Sequence, residues 1–272
     1  MNSKIRVPVT VIIPCYNSAE TIIRAVNSVL AQTALPSELI IIDDCSTDGG
    51  KTIRLINEIV GKENQGIQLQ SIINKKNVGP ASSRNIGWEL GTQPFLAFLD
   101  SDDMWHPQKI ELQYQWMIAN PKAVISSHRT AIYKDSKDLK TKMGPLLGKP
   151  VEPQQLLWSN PFCTRGVILR KELPFRFLEN MYYAEDFFLW AEIVCSFPRS
   201  CYVLNCKLAF SFKNDFDSGG LSSNLSAMES GELTVIAAIC KRMGYSCAIK
   251  YKAYIWSIIK YMRRIILSVM IT

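Results

Sequence analysis

Seven apolar segments alternate between two periodicities across the first hundred residues, and this alternation restricts the fold more than any other feature of the chain. Val9 to Ile13, Leu39 to Ile42, Ile67 to Ile73 and Phe95 to Leu99 are compact runs rich in β-branched or aromatic residues, which predicts strands. Between them, Thr21 to Ala31, Thr52 to Val60 and Ala81 to Leu90 carry apolar residues at helical spacing. Ser18, or a residue beside it, is the expected cap of the first helix, and Gly79-Pro80 the start signal of the third. Consecutive strands joined through helices need crossovers. Crossovers build a mainly parallel α/β sheet, Rossmann-like, with helices on both faces. Ligands of such sheets bind beyond the carboxyl ends of the strands.

Those ends carry chemistry. The first strand runs into Pro14-Cys15-Tyr16-Asn17, the second into Asp43-Asp44-Cys45-Ser46 and the fourth into Asp100-Ser101-Asp102-Asp103. Three carboxylates directly after a fully apolar strand repel one another and stay ionised at neutral pH only beside a compensating cation. A hard divalent ion, Mg²⁺ or Mn²⁺, takes oxygen ligands and shares them with substrate phosphates. An acidic turn capping the helix near Pro107 is the alternative, although one aspartate suffices for a cap.

The second half is less regular. Strands are expected at Ala123 to Arg129, Gly166 to Leu169 and within Val203 to Phe212. Helices are expected at Gln154 to Trp158 and Tyr183 to Cys195, and from Ser226 to the end; Lys134 to Lys142 reads as a polar loop. The net charge of +7 is concentrated: Lys241, Arg242, Lys250, Lys252, Lys260, Arg263 and Arg264 follow residue 240, and no acidic residue follows Glu232. A neutral body with a basic end points to an anionic surface at that end, and away from a protein that coats nucleic acid. Eight cysteines without a C-x-x-C pair or zinc spacing read as reduced thiols. The N-terminal apolar run is short, holds Pro8 and Pro14 and lacks a cleavage site, so the expected location is cytoplasmic.

The segment from residue 251 to 272 is a second sharp feature. On a helix, Tyr251, Ile255, Ile258, Met262, Ile265 and Val269 share one face, with Lys252, Lys260, Arg263 and Arg264 on the other. Cations interrupt it too often for a membrane span. A basic amphipathic helix lying in a membrane interface, on the cytoplasmic side of the inner membrane, is the expectation; a helix docked on the globular body is the alternative.

Five stretches, "VTVIIPCYN" (9–17), "ELIIIDDCSTDGG" (38–50), "NVGPASSRNIG" (77–87), "FLAFLDSDDMWHPQKI" (95–110) and "YAEDFFLW" (183–190), occur in an order that resembles the family 2 glycosyltransferases of GT-A fold, over roughly residues 7 to 195. The resemblance extends to bacterial polysaccharide and O-antigen enzymes. It implies a catalytic domain over 1–220, with a nucleotide-binding half to about residue 130 and an acceptor half beyond it. A helical extension then covers 221–272. It implies that Pro14, Tyr16 and Asn17 lie against the base and ribose of a nucleotide-sugar, and that Asp44, or its neighbour Asp43, binds the base. It places Arg84 near the nucleotide, Asp102 near ribose and metal, and Asp103 as the direct ligand of Mn²⁺ or Mg²⁺. It makes Asp186 the general base, with Glu185 as the alternative. "NPFCTRG" (160–166) resembles the acceptor-side stretch, with Thr164 and Arg165 in it.

The implied reaction is inverting transfer from a nucleotide-sugar, UDP-sugars first, to a lipid-linked glycan in lipopolysaccharide, O-antigen or capsule synthesis. A nucleotidyltransferase would be expected to show a glycine-rich phosphate loop where this chain has "PCYNSAET". A non-catalytic membrane-associated scaffold of the same fold would have no use for Asp103 and Asp186.

Overall fold

The computed structural model describes residues 4–62, 66–139, 146–212 and 224–271, with side chains as far as 268. Part of the expected polar loop (140–142), the end of the expected 1–220 unit (213–220) and the side chain of Val269 lie outside the described residues.

The alternation is present as β1 (Arg6–Cys15), α1 (Ile22–Leu30), β2 (Leu35–Asp43), α2 (Lys51–Val60), β3 (Gln68–Ile73), α3 (Gly79–Leu90) and β4 (Phe95–Phe98). There follow β5 (Met104–Trp105), α4 (Lys109–Ala119), β6 (Ile125–Ile132), β7 (Gly148–Pro150), α5 (Pro153–Leu156), β8 (Ile168–Arg170), α6 (Glu185–Ser196), β9 (Cys201–Ser211), α7 (Leu225–Met243) and α8 (Cys247–Ile271). The sheet order is β3-β2-β1-β4-β8-β6-β9-β5, with β7 on β9. The first four strands are parallel, so the ends of β1, β2 and β4 share one edge. β8 then runs antiparallel to β4, and the sheet continues as a mixed one.

Both faces of the sheet are covered, which is why β1 and β4 read as unbroken apolar runs. Ile12 and Phe98 face a core with Trp88, Phe177 and Trp190. Val9, Val11, Ile13 and Ala97 point the other way, onto Ile22, Val26, Val29 and Trp105. One close approach aligns α3 with the sheet. A Cβ on Gly87 would lie 2.4 Å from Ile12 Cγ2, so the helix sits directly on β1, with Arg84 nearer the strand ends.

The expectation for Ser18 is corrected. Thr21 precedes α1, with no side-chain cap, and only the Ser18 carbonyl accepts from the helix, from the amides of Thr21 and Ile22. The Ser18 hydroxyl is spent on Ser101 Oγ (2.8 Å) and Tyr16 O (3.1 Å), which ties the β1 loop to the acidic turn.

The expected terminal helix is two helices, α7 and α8, parted at Gly244 in the left-handed region (φ 64°). Val235, Ile236 and Ile239 of α7 join the core beside α6. The orientation of α8 settles the choice of faces in an unexpected way. Lys260 is paired with Glu232, and Arg264 with Glu229 (2.9 Å) and Glu232 (3.2 Å). The helix therefore docks by its cationic side, around buried Ala253 and Ser257. Its apolar side, with Tyr251, Ile255, Ile258, Ile259, Met262 and Ile266, is exposed, and Lys252 and Arg263 flank it. Among the described residues no helix is long and apolar enough to cross a membrane.

Candidate active site

The loops that leave β1 and β2 are laced together. Thr47 N donates to Asn17 Oδ1 (2.7 Å), Asn17 N donates to Ser46 Oγ (2.8 Å), and the Tyr16 hydroxyl lies 3.3 Å from Thr47 Oγ1. Asn17 and Cys45 take positive φ (50° and 61°), a cost accepted where both chains turn at the sheet edge. Tyr16 and Asn17 are exposed there, whereas Pro14 is buried in β1.

Asp44 is engaged at the start of α3. Its Oδ1 accepts from Val78 N (2.9 Å) and Asn74 Nδ2 (2.9 Å), and its Oδ2 from Gly79 N (2.7 Å). A carboxylate on the first amides of a helix satisfies orphan donors and favours the dipole. Asp43 is turned to Ser46, through Oγ (2.6 Å) and N (3.0 Å). Both aspartates of the pair thus shape the sheet edge at the end of β2 and the start of α3.

Arg84 is the hub of the site. Its side chain is 8% exposed. Nη2 donates to Asp100 Oδ1 (2.7 Å) and Nη1 to Glu185 Oε1 (3.1 Å). One guanidinium thereby joins the end of β4 to the start of α6, 101 residues apart from its own position. Burial disfavours the Asp100 charge, but Arg84 and Arg165 hold its pKa below the ordinary carboxylate value. Glu185 goes the other way: burial, then the neighbouring Asp186, pushes it up to about 7 despite Arg84.

A second bridge runs from the acidic turn to the same helix start. Arg165 Nη1 donates to both oxygens of Asp103, at 2.5 Å. The preceding residue, Thr164, donates its hydroxyl to Asp186 Oδ2 (2.9 Å). The Asp103 side chain is 2% exposed. Burial pushes its pKa up to about 7; Arg165 opposes this, while Asp100 and Asp102 add to it. Arg24 donates to the Asp102 carbonyl (2.7 Å).

Glu185 and Asp186 owe their positions to an unusual turn. Ala184 adopts φ 59°, which a residue with a Cβ rarely does, and α6 starts immediately after it. α7 holds that turn in place: a Cβ on Gly231 would lie 2.7 Å from Tyr183 O and 3.0 Å from Ala184 Cβ. The two acids then differ in environment. Glu185 is buried against Arg84, while Asp186 is half-buried and borders a cavity of about 420 Å³. That cavity is also lined by Ser159 and Asn160, by Met228 and Glu232 of α7 and by Lys260, Arg263 and Arg264 of α8. A larger cavity, about 640 Å³, lies between residues 178–183 and α7 and contains neither Asp103 nor Asp186.

Among the described residues no group of three or more His, Cys, Asp and Glu side chains forms a protein-only metal cage. An ion shared with a diphosphate needs only one or two carboxylates, and Asp102 and Asp103 are oxygen donors of the right kind. The charge of Asp103 is met in this structure by Arg165.

Of the residues singled out from the sequence, Arg84, Asp100, Asp103, Glu185 and Asp186 converge through two bridges, and Thr164 and Arg165 are the second bridge. His106 is buried, its Nδ1 accepting from Gln108 N (3.2 Å). Arg24, which holds the acidic turn from α1, carries no signal in its own sequence neighbourhood that points to this role.

A family model described as glycosyl transferase family 2 matches residues 10–176. A curated relative is the Escherichia coli UDP-Glc:alpha-D-GlcNAc-diphosphoundecaprenol beta-1,3-glucosyltransferase WfgD, 28% identical over 79% of this chain and 80% of its own. Two curated glycosyltransferases of Rickettsia are longer, and the chain spans about 30% of each. Among solved structures, S. aureus TarS 1-349 in complex with UDP-GlcNAc superposes with a TM-score of 0.66, at 20% identity, over 94% of this chain and 72% of that one. The mannosyltransferase PcManGT of Pyrobaculum calidifontis, in complex with GDP-Man and Mn²⁺, gives 0.58 at 17% identity, over 92% and 72%.

Proposed function

The chain belongs to glycosyl transferase family 2, and on that premise we propose that it is an inverting transferase. It moves a sugar from a nucleotide-sugar donor, UDP-sugars first, to a lipid-linked glycan of the cell surface, in the O-antigen, lipopolysaccharide or capsule class. The observation that carries this reading is the double bridge. Arg84 joins Asp100 to Glu185, and Thr164-Arg165 joins Asp186 to Asp103. A donor held along the ends of β1, β2 and β4, against Pro14, Tyr16, Asn17, Asp44 and Arg84, brings its anomeric carbon toward Asp186.

Asp186 is the general base. An acceptor hydroxyl is a weak nucleophile at neutral pH, and a carboxylate within reach takes its proton as it attacks. Thr164 fixes Oδ2 of that carboxylate, Oδ1 accepts from Phe187 N (2.6 Å), and the group borders the 420 Å³ cavity, a volume suited to an acceptor sugar. Glu185, locked to Arg84, positions the helix start. A single displacement inverts the anomeric centre through an oxocarbenium-like state. Asp103 and Asp102 would hold Mg²⁺ or Mn²⁺, which supplies positive charge against the diphosphate leaving group.

The setting is a membrane surface on the cytoplasmic side. α8 turns large apolar residues outward, Trp256 among them, beside Lys252 and Arg263, the composition of an interfacial helix. The lipid-diphosphate acceptor in the name of the E. coli relative supports the same setting.

Two measurements test the proposal. A panel of UDP-, GDP- and dTDP-sugars is titrated into wild type and Asp186→Asn. Tight binding of one donor to both, with transfer lost only in the variant, is expected; a wild type that binds no nucleotide sugar refutes the reading. Ile255→Asp with Met262→Asp is expected to release the protein from anionic vesicles without lowering its Tm. Unchanged flotation removes the membrane from the proposal.

A further inference from the structure

The cavity that Asp186 borders has a feature the proposed chemistry leaves unused. Three cations of α8 within about one helical turn, Lys260, Arg263 and Arg264, line it together with Glu232 of α7. Two are already neutralised: Lys260 by Glu232, and Arg264 by Glu229 and Glu232. Arg263 is different. It is exposed, it lines the cavity, and among the described residues no carboxylate is recorded as its ion-pair partner. The two flanking pairs hold the helix so that this third cation faces the space in front of the base. A guanidinium so placed is a fork for a phosphate or a carboxylate.

We propose that Arg263, set by the Lys260–Glu232 and Arg264–Glu229 pairs, is the anchor for a phosphate group of the acceptor. The acceptor is then a sugar phosphate or diphosphate whose hydroxyl faces Asp186 while its anionic group lies against α8. This rests on the transferase reading and specifies its acceptor as anionic close to the reacting sugar. The cavity suits this: about 420 Å³ lies within the range of small-molecule sites and takes a monosaccharide with its phosphate. The geometry also accounts for α8 docking by its charged side. The helix presents a cation to the cavity and its apolar side to solvent, where the lipid of such an acceptor would lie.

Phosphate could also reach Arg263 from a phospholipid headgroup, and the test separates the two sources. Full-length protein saturated with UDP, so that the donor site is filled, is titrated with inorganic pyrophosphate. Wild type is expected to bind, and Arg263→Ala to bind at least tenfold more weakly. Lys252→Ala, a change on the same helix but outside the cavity, is expected to bind as wild type. In the kinetic arm, an alkyl N-acetylglucosaminyl diphosphate is compared with the matched uncharged alkyl glycoside. Arg263→Ala is expected to raise KM for the first, leaving the second and the donor KM unchanged.

Equal pyrophosphate binding by wild type and Arg263→Ala overturns the inference, as does an equal loss on both acceptors. Loss of anionic-vesicle binding with pyrophosphate binding intact overturns it too, by assigning Arg263 to headgroups. Intact, Arg263-dependent pyrophosphate binding in a protein that transfers no sugar upholds the anion site and refutes the transferase reading instead.

Discussion

Replacing Arg84 by Met keeps the apolar stem of the side chain and removes the guanidinium charge at the hub. Two carboxylates then lose their partner, Asp100 (side chain 29% exposed) and Glu185 (12% exposed). Breaking a buried pair by removing one member costs about 3 to 5 kcal/mol, and the partial exposure of Asp100 places the loss near the lower end, about 3 kcal/mol. For a chain of this size that corresponds to about 6 to 12 °C in Tm.

The loss should depend on pH, and its direction follows from Glu185. In the folded wild type this group sits at about 7, above its ordinary value. Its contribution to stability is therefore present below its ordinary range and is lost as pH rises through 7. Near pH 5 it is protonated in wild type and variant alike, so losing Arg84 is felt there mainly at Asp100. At pH 8 both carboxylates must be accommodated without a cation. The Tm gap between wild type and Arg84→Met should thus shrink by about half from pH 8 to pH 5, read by calorimetry or fluorescence. Adding Glu185→Gln should recover part of the loss at pH 8 and little at pH 5. A gap that is the same at both pH values would refute the electrostatic argument and assign the loss to packing over Phe177, whose ring centroid lies 5.4 Å from the Arg84 guanidinium carbon.

Asp186→Asn removes the carboxylate proposed as the base while preserving shape, and should lower kcat by about 10² to 10⁴ with Tm and donor Kd unchanged; turnover within a factor of a few refutes the base assignment. Thr164→Val removes the hydroxyl that fixes Asp186 and should lower kcat by about tenfold, with acceptor KM nearly unchanged in steady-state assays. Gly231→Ala drives a methyl against Tyr183 O and Ala184, so a destabilisation of about 1 to 3 kcal/mol by denaturant melts should accompany a fall in kcat. Asp103→Asn should weaken metal-dependent donor binding, measured by calorimetry with and without chelator; equal donor affinity under both conditions in wild type refutes the metal assignment.

The strand ends were legible because their signal is local. Apolar runs such as Phe95 to Leu99 can be buried on both faces only in a covered sheet, and the polar residues that follow must emerge at its edge. The acids of the fourth strand end could be picked out for the same reason, whereas those of residues 184–186, at a helix start, stood out only through the resemblance of "YAEDFFLW" to a family motif. Which of the acids does what could not. Glu185 and Asp186 are neighbours at one helix start, and their environments differ because Arg84, from another helix, pairs with the first while Thr164 and the cavity meet the second. Asp44 is expected against a base, and the amides of Val78 and Gly79, which no local pattern announces, already bond to it.

Thus backbone periodicity and side-chain polarity, both properties of short segments, were enough to establish an α/β sheet with an acidic mouth and an amphipathic last helix. Pairings across long stretches of chain were decided by folding alone: Arg165 on Asp103, Arg84 between β4 and α6, and the side by which α8 docks. The helix shows two faces in its sequence, and either could have turned inward. Glu229 and Glu232, one helix away, capture Lys260 and Arg264 and so leave the apolar face outside. Such outcomes depend on which charges meet when the core closes, a matter of three-dimensional proximity that no window along the chain contains.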